Sequence, residues 1–152
     1  MTTVANFTAS ATSNTSVELA QLRGQQVVIY FYPKDNTPGC TTEGQDFRDL
    51  HEQFRAANTL IFGVSRDSMR THENFKAKHQ FPFELISDPE EELCRLFDVI
   101  KLKKLYGKEH LGIERSTFLL DANGNIAKEW RKVKVKEHAA EVLAAAQELA
   151  GS

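Results

Sequence analysis

Little in this chain announces a specialised class. Two cysteines in 152 residues are too few for a disulfide-built scaffold. They suit a reducing compartment, where a cysteine is kept for reactivity or as a small core residue. Neither sign of charge is in surplus: 19 Lys and Arg stand against 21 Asp and Glu, a formal net charge of -2. That balance gives no bulk attraction to nucleic acid or to an anionic membrane. No apolar run approaches the roughly twenty residues of a membrane span. The opening MTTVANFTASATSNTS has neither the basic segment nor the apolar core of a secretory leader, so a cytoplasmic protein is expected. His51, His72, His79, His110 and His138 do not pair at metal-ligand spacing with one another or with a cysteine. No glycine-rich phosphate loop or dinucleotide fingerprint occurs. Neither a metal nor an organic cofactor is expected.

What is present is ordinary globular composition, 41% hydrophobic and 26% charged. The length suits one domain, 1–152, around one sizeable core. Residues 1–16 are rich in Ser, Thr and Asn and read as a loose tail, a loop or an edge strand. Val27-Val28-Ile29-Tyr30-Phe31-Tyr32 is apolar throughout and reads as a central strand covered on both faces. A helix is predicted from Pro38 to about Ala57, with Cys40, Gly44 and Phe47 on its inward stripe. A strand over 59–65, a helix over 67–79 and a short strand over 83–87 follow. A further helix opens at Asp88, read as its N-cap. Strands 116–120 and 126–130 flank DANGN as a hairpin with its glycine in the turn. A last helix over 137–150 buries Val142, Leu143, Ala146 and Leu149. Alternating strands and helices closed by a hairpin and a helix predict an α/β, thioredoxin-like fold, a central mixed sheet flanked by helices.

Against this background Thr37-Pro38-Gly39-Cys40-Thr41-Thr42-Glu43 stands out. A helix start presents unpaired N–H groups and a partial positive charge, both of which favour an anion. A cysteine there is favoured as thiolate, the nucleophilic form. Pro38 fits the first turn. Thr37 is a natural N-cap whose hydroxyl can reach toward the Cys40 N–H, and Gly39 leaves room beside the sulfur. The bland alternative is a buried structural cysteine. A dithiol exchanger needs C-x-x-C at such a helix start, and the position three before Cys40 is Thr37, which cannot form the disulfide.

At these residues the chain resembles the peroxiredoxins. Pro33, Thr37 and Cys40 meet the family pattern Pro-x-x-x-Thr-x-x-Cys within YFYPKDNTPGCTTE. FGVSRDS, LISDPEEELCRLFDVIK, GIERSTFLLDANG and WRKVKVKEHAAEVL extend the likeness, closest to the Q-type, or bacterioferritin comigratory, subfamily. The resemblance implies a thioredoxin fold and thiol-dependent reduction of hydrogen peroxide and organic hydroperoxides. It implies that Cys40 is peroxidatic, that Thr37 orients the peroxide and that Pro33 shields the sulfur from water. Arg115 would stabilise thiolate and transition state. Without the resemblance Arg115 reads as a solvated strand-end arginine, Thr37 as a plain cap and Pro33 as a strand terminator. Glu43 reads as a first-turn acid complementing the helix dipole and stays outside the catalytic set.

The pattern departs from the subfamily at the resolving cysteine. Many Q-type members place it five residues after the peroxidatic one, where this chain has Gln45; others place it in the next helix, where Lys76 stands. Cys94 remains, beside the apolar positions of a short helix, and reads as a packing cysteine. A one-cysteine cycle is therefore expected, with glutathione, glutaredoxin or thioredoxin as external thiol, in a monomer. The alternatives are in-chain resolution by Cys94, or a redox sensor or binding module in which Cys40 oxidation is a signal. The run 131–136 is read as a solvated basic strand edge. Lys101, Lys103, Lys104 and Lys108 form a second basic segment.

Overall fold

The computed structural model describes residues 2–152. Its frame is a mixed sheet of eight strands. In chain order they are β1 (Thr2–Thr3), β2 (Thr8–Ala11), β3 (Thr15–Glu18), β4 (Gln26–Phe31), β5 (Thr59–Ser65), β6 (Glu84–Ser87), β9 (Ser116–Leu120) and β10 (Asn125–Trp130). Across the sheet they lie in the order β1-β10-β9-β4-β5-β6-β2-β3. β4 pairs parallel with β5, and β5 with β6, while β4–β9 and β9–β10 are antiparallel. Strands β7 (Ile100–Leu105) and β8 (Lys108–Ile113) form a separate antiparallel ribbon. The N-terminal residues are not a loose tail: β1 closes one edge of the sheet, and β2 and β3 the other.

Strand β4 is buried at all six positions, as its β-branched and aromatic run requires of a strand covered on both faces. Because side chains alternate along a strand, its residues divide between two cores. Val27, Ile29 and Phe31 join Phe62, Val64, Ile86 and Phe118 on one face. Val28 and Tyr30 join Phe47, Phe54, Phe75 and Val142 on the other. The second face is covered by α1 (Pro38–Asp49), α2 (His51–Ala56), α3 (Met69–His79) and α5 (His138–Ala150), each of which contributes to that core. The first is covered by α4 (Glu92–Leu96), by N-terminal residues including Val4 and Val17, and by Val99 and Ile113 at the base of the ribbon.

Several local readings need correction. The helix over 38–57 is broken at Leu50, whose φ of -98° and ψ of 1° separate α1 from α2. Asp88 does not start a helix at Pro89. The chain makes a turn first, and the Asp88 carboxylate reaches over it to accept from the N–H groups of Leu93 and Cys94 at 3.2 and 2.9 Å, satisfying first-turn donors of α4 from outside. Residues 131–136 lie beyond the end of β10 and form a loop, not a strand edge. The ribbon β7–β8 has no counterpart in the sequence reading. The hairpin at 121–125 forms as expected: Asp121 Oδ1 accepts from Asn123 and Asn125 N–H, and Gly124 supplies a φ of +80°.

Candidate active site

The chain leaves β4 at Tyr32, whose N–H still bonds to the Val64 carbonyl at 3.1 Å, and crosses the loop 33–37 to the start of α1. Pro33, half-buried, takes the first position of that loop, where its missing N–H costs no ladder bond. Thr37 is the N-cap residue by its extended backbone (φ -87°, ψ 152°), with Pro38 in the first turn. Its hydroxyl does not reach the Cys40 N–H as expected. It donates to the Lys34 carbonyl at 2.8 Å. The hydroxyl proton is thereby spent closing the loop, and its lone pairs remain free to accept.

Cys40 is 2% exposed and sits at the edge of the helix-covered core. Arg115 comes from the two-residue link between β8 and β9, 75 positions on, and donates from Nη2 to Cys40 Sγ at 3.3 Å. Its Nη1 donates to Glu43 Oε1 at 2.6 Å. The Arg115 side chain is only 17% exposed, so it is not a solvated strand-end residue. Burial acts to lower its proton affinity, but the Glu43 carboxylate and the Cys40 sulfur outweigh that and raise it. Gly39 makes this approach possible: a Cβ there would stand 3.2 Å from Arg115 Nη2. The room beside the sulfur is therefore occupied by the guanidinium.

Glu43 completes the cluster and is absent from the set the sequence suggests. It is 1% exposed. Burial pushes its carboxyl up to about 7, against the pull of Arg115. Its Oε2 has no partner among the described residues, and neither has the buried hydroxyl of Tyr30. The signal was in the spacing. Glu43 lies three after Cys40 and four before Phe47, on the inward stripe of α1, which a dipole-complementing surface acid would not occupy. His138, also buried, stands 2.8 Å by Nε2 from the Thr117 hydroxyl, two residues past Arg115. Burial and the Arg115 charge push its imidazole down to about 4.

Cys94 does not join this site. It belongs to the opposite core, across the sheet from Cys40, and both thiols are free. Burial, and then Asp88, push the Cys94 thiol far up, away from its nucleophilic form. Asp35, Asp67 and His72 place potential metal-ligand atoms within 4.8 Å of one another. Those atoms already hold one another: His72 Nδ1 lies 2.6 Å from Asp35 Oδ2, His72 Nε2 lies 3.0 Å from the Ile86 carbonyl, and Asp67 Oδ2 accepts from Ser65 and Asp35. The donor set is a closed hydrogen-bond network rather than an open coordination shell. Among the described residues no helix is long and apolar enough to cross a membrane.

Residues 2–129 match the model of the AhpC/TSA family. The chain is 58% identical over 128 residues to Peroxiredoxin Bcp of Bacillus subtilis, covering 84% of this chain and 82% of that one. A solved structure of Xanthomonas campestris bacterioferritin comigratory protein, described for its alkyl peroxide reduction activity, superposes with a TM-score of 0.91. It is 54% identical and the match covers 95% of this chain and 92% of that one. Xanthomonas campestris Peroxiredoxin Q has been solved as two cysteine-to-serine variants, at positions thirty-six apart in that chain. They match at TM-scores of 0.90 and 0.91 with 55% and 54% identity, covering 93% and 95% of this chain and 90% and 91% of those.

Proposed function

The chain belongs to the AhpC/TSA family, as a peroxiredoxin of the bacterioferritin comigratory type, and on that premise we propose that Cys40 is its peroxidatic residue and that an external thiol completes the cycle. The enzyme is a thiol-dependent peroxidase. Its substrates are hydrogen peroxide and organic hydroperoxides. The observation that carries the site assignment is the Arg115 guanidinium 3.3 Å from a buried sulfur at a helix start.

In the proposed reaction the Cys40 thiolate attacks one peroxide oxygen. The new S–O bond forms as the O–O bond breaks. The departing oxygen takes the electron pair and leaves, once protonated, as water or an alcohol, and Cys40 becomes a sulfenic acid. Negative charge moves from sulfur to the departing oxygen. Arg115 and the first-turn N–H of Cys40, which Thr37 leaves unused, stabilise it there. The Thr37 hydroxyl, its own proton held by Lys34, orients the peroxide by accepting from its O–H. Pro33 shields the loop side of the sulfur from water.

Resolution falls to an external thiol because no second sulfur is placed for it. Thirty-six positions after Cys40 this chain has Lys76, whose ammonium lies 3.4 Å from Glu84. Gln45 is also no thiol, and Cys94 lies beyond the sheet. The thiol attacks the sulfenic sulfur, expelling water and leaving a mixed disulfide, which a second thiol reduces. Glutathione with glutaredoxin, or thioredoxin, supplies these electrons in a reducing cytoplasm, to a monomer that needs neither nucleic acid nor membrane. The test is peroxide consumption with each reductant offered separately. Many turnovers per Cys40 with one of them, abolished in Cys40→Ser, are expected. One equivalent consumed and no more with either would make the protein a sensor instead.

A further inference from the structure

Lys103 on β7 has no part in the chemistry above. Side chains alternate along a strand, and Lys103 stands opposite His110 on β8. The two share the ribbon face that holds Gly112, while the pair Leu102 and Leu111 belongs to the other face. Gly112 leaves its face bare, and the Lys103 stem lies across it: a Cβ at Gly112 would meet Lys103 Cδ at 3.4 Å. The stem therefore runs along β8 in the direction of Arg115, which follows the end of that strand. Lys103 is half-buried. Burial lowers its proton affinity, and so do the charges of Arg115 and Arg66, while Cys40 and Glu114 act the other way. It thus shares a charge neighbourhood with the reacting sulfur. Arg115 is held by Glu43 at 2.6 Å and Arg66 by Glu91 at 2.9 Å. Lys103 has no ion-pair partner among the described residues, so it is the uncompensated cation of the three.

That charge matters more after oxidation than before. The reduced site holds the Cys40 thiolate, an anion between Arg115 and Lys103. Oxidation to the sulfenic acid removes the anion and leaves both cations in place. Hydrogen peroxide arrives uncharged, whereas the species that attacks a sulfenic acid is a thiolate. We propose that Lys103 is a specificity-determining residue that draws an anionic reductant, a small thiol carrying a carboxylate, to the oxidised Cys40. A small molecule is favoured over a protein surface because the sulfur is 2% exposed and Lys103 is itself half-buried. In the assisted step the thiolate's electron pair forms the S–S bond to Cys40. The S–O bond breaks onto oxygen, which leaves as hydroxide and takes a proton from solvent to become water. The Cys40 sulfur is reduced and the thiol sulfur oxidised, while the carboxylate stays intact against the ammonium. The choice of reductant rests on the external-thiol cycle proposed above; the preference for an anion at Cys40 does not.

The experiment compares wild type with Lys103→Met, which keeps a stem over Gly112, Lys103→Arg, which keeps the charge, and Lys103→Glu, which reverses it. Two ratios are read at low ionic strength on the peptide that carries Cys40. In the reduced protein the ratio is the rate of alkylation by iodoacetate over that by iodoacetamide. In the oxidised protein it is the rate of sulfenic acid reduction by 3-mercaptopropionate over that by 2-mercaptoethanol. Each ratio sets a charged reagent against a neutral one on the same sulfur, so a changed thiol acidity or a general disturbance of the site cancels. Met should lower both ratios about fivefold, the factor that ~1 kcal/mol of charge attraction supplies, and Glu about 25-fold. Arg should keep both within about twofold of wild type, and salt at about 1 M should bring wild type down toward Met. Unchanged ratios in a folded Met variant, or an Arg variant that behaves as Met, would overturn the proposal. If Met does not fold, wild-type ratios that salt leaves untouched do the same. A lowered alkylation ratio with an unmoved thiol ratio overturns the selection of the reductant. If neither thiol reduces the sulfenic acid, the external-thiol cycle has failed, and the alkylation ratio still decides whether Lys103 favours an anion at Cys40.

Discussion

Arg115 serves two acceptors at once, sulfur and carboxylate, and the fork of its guanidinium makes that possible. Lysine offers a point charge without the second directed donor. Replacing Arg115 by Gln should lower the second-order rate of Cys40 oxidation about 100-fold, the scale of losing one preorganised donor to a developing charge; competition of the variant with a reference peroxidase for hydrogen peroxide measures it, and a loss under threefold would contradict the role. Glu43 and His138 make a second residue-level test, because both are buried and are shifted in opposite senses. Glu43 is raised from 4.5 to about 7, so its stabilising proton is fully held below about 4.5 and that stability is lost as pH rises through 7. His138 is lowered from 6.5 to about 4, so its contribution is present above 6.5 and lost as pH falls through 4. The two nearly cancel in the wild type between those limits. In Glu43→Gln stability should therefore fall on acidification from pH 7.5 to 5, and in His138→Gln it should rise, each by on the order of 2–3 kcal/mol. Urea midpoints at the two pH values read it, and parallel behaviour of both variants would contradict the assignment. Cys40, Thr37 and Pro33 were picked out by their spacing in the family pattern and Arg115 only by the resemblance, whereas Glu43 was set aside as a first-turn acid although it lies past the first turn of α1, where it meets Arg115 from 72 positions away.

At the scale of elements, the junction of β4, loop and α1 sets the site. Arg115 reaches the sulfur only because Gly39 has no side chain. Gly39→Ala puts a Cβ 3.2 Å from Nη2, and the guanidinium must retreat. The expected result is about a tenfold slower Cys40 oxidation with little change in unfolding midpoint, since Gly39 is in helical backbone that alanine adopts freely. An unchanged rate would mean the guanidinium has slack to move without consequence. The strands β4, β5 and β9 and the helix α5 were readable because their apolar runs or periods are unbroken, and the start of α1 because Cys40, Gly44 and Phe47 share one stripe. The ribbon β7–β8 was not. Its sequence alternates Lys with Leu and lacks a sheet to lean on, so period-2 patterning there signals no buried face; Leu102 and Leu111 are in fact 62% and 60% exposed. Asp88 was misplaced for a related reason: its carboxylate caps α4 from across a turn, and a local pattern cannot show a bond that skips four residues.

The whole molecule is two cores divided by one sheet, and that division separates the cysteines. Cys40 lies among helices on one face and Cys94 under α4 on the other, so a bond between them would require the sheet to be breached rather than a loop to swing. The order of strands, with N-terminal segments closing both edges, could not be read from the chain, because edge pairing depends on partners more than a hundred positions away, as Thr2 opposite Ile126 shows. The proposed function requires that one sulfur is oxidised and the other is a bystander. Dimedone trapping after one equivalent of hydrogen peroxide, followed by peptide mass mapping, tests that most directly. The adduct should sit on Cys40 in near-stoichiometric yield with Cys94 still a free thiol; a Cys40–Cys94 disulfide as the main product, or the adduct on Cys94, would contradict it.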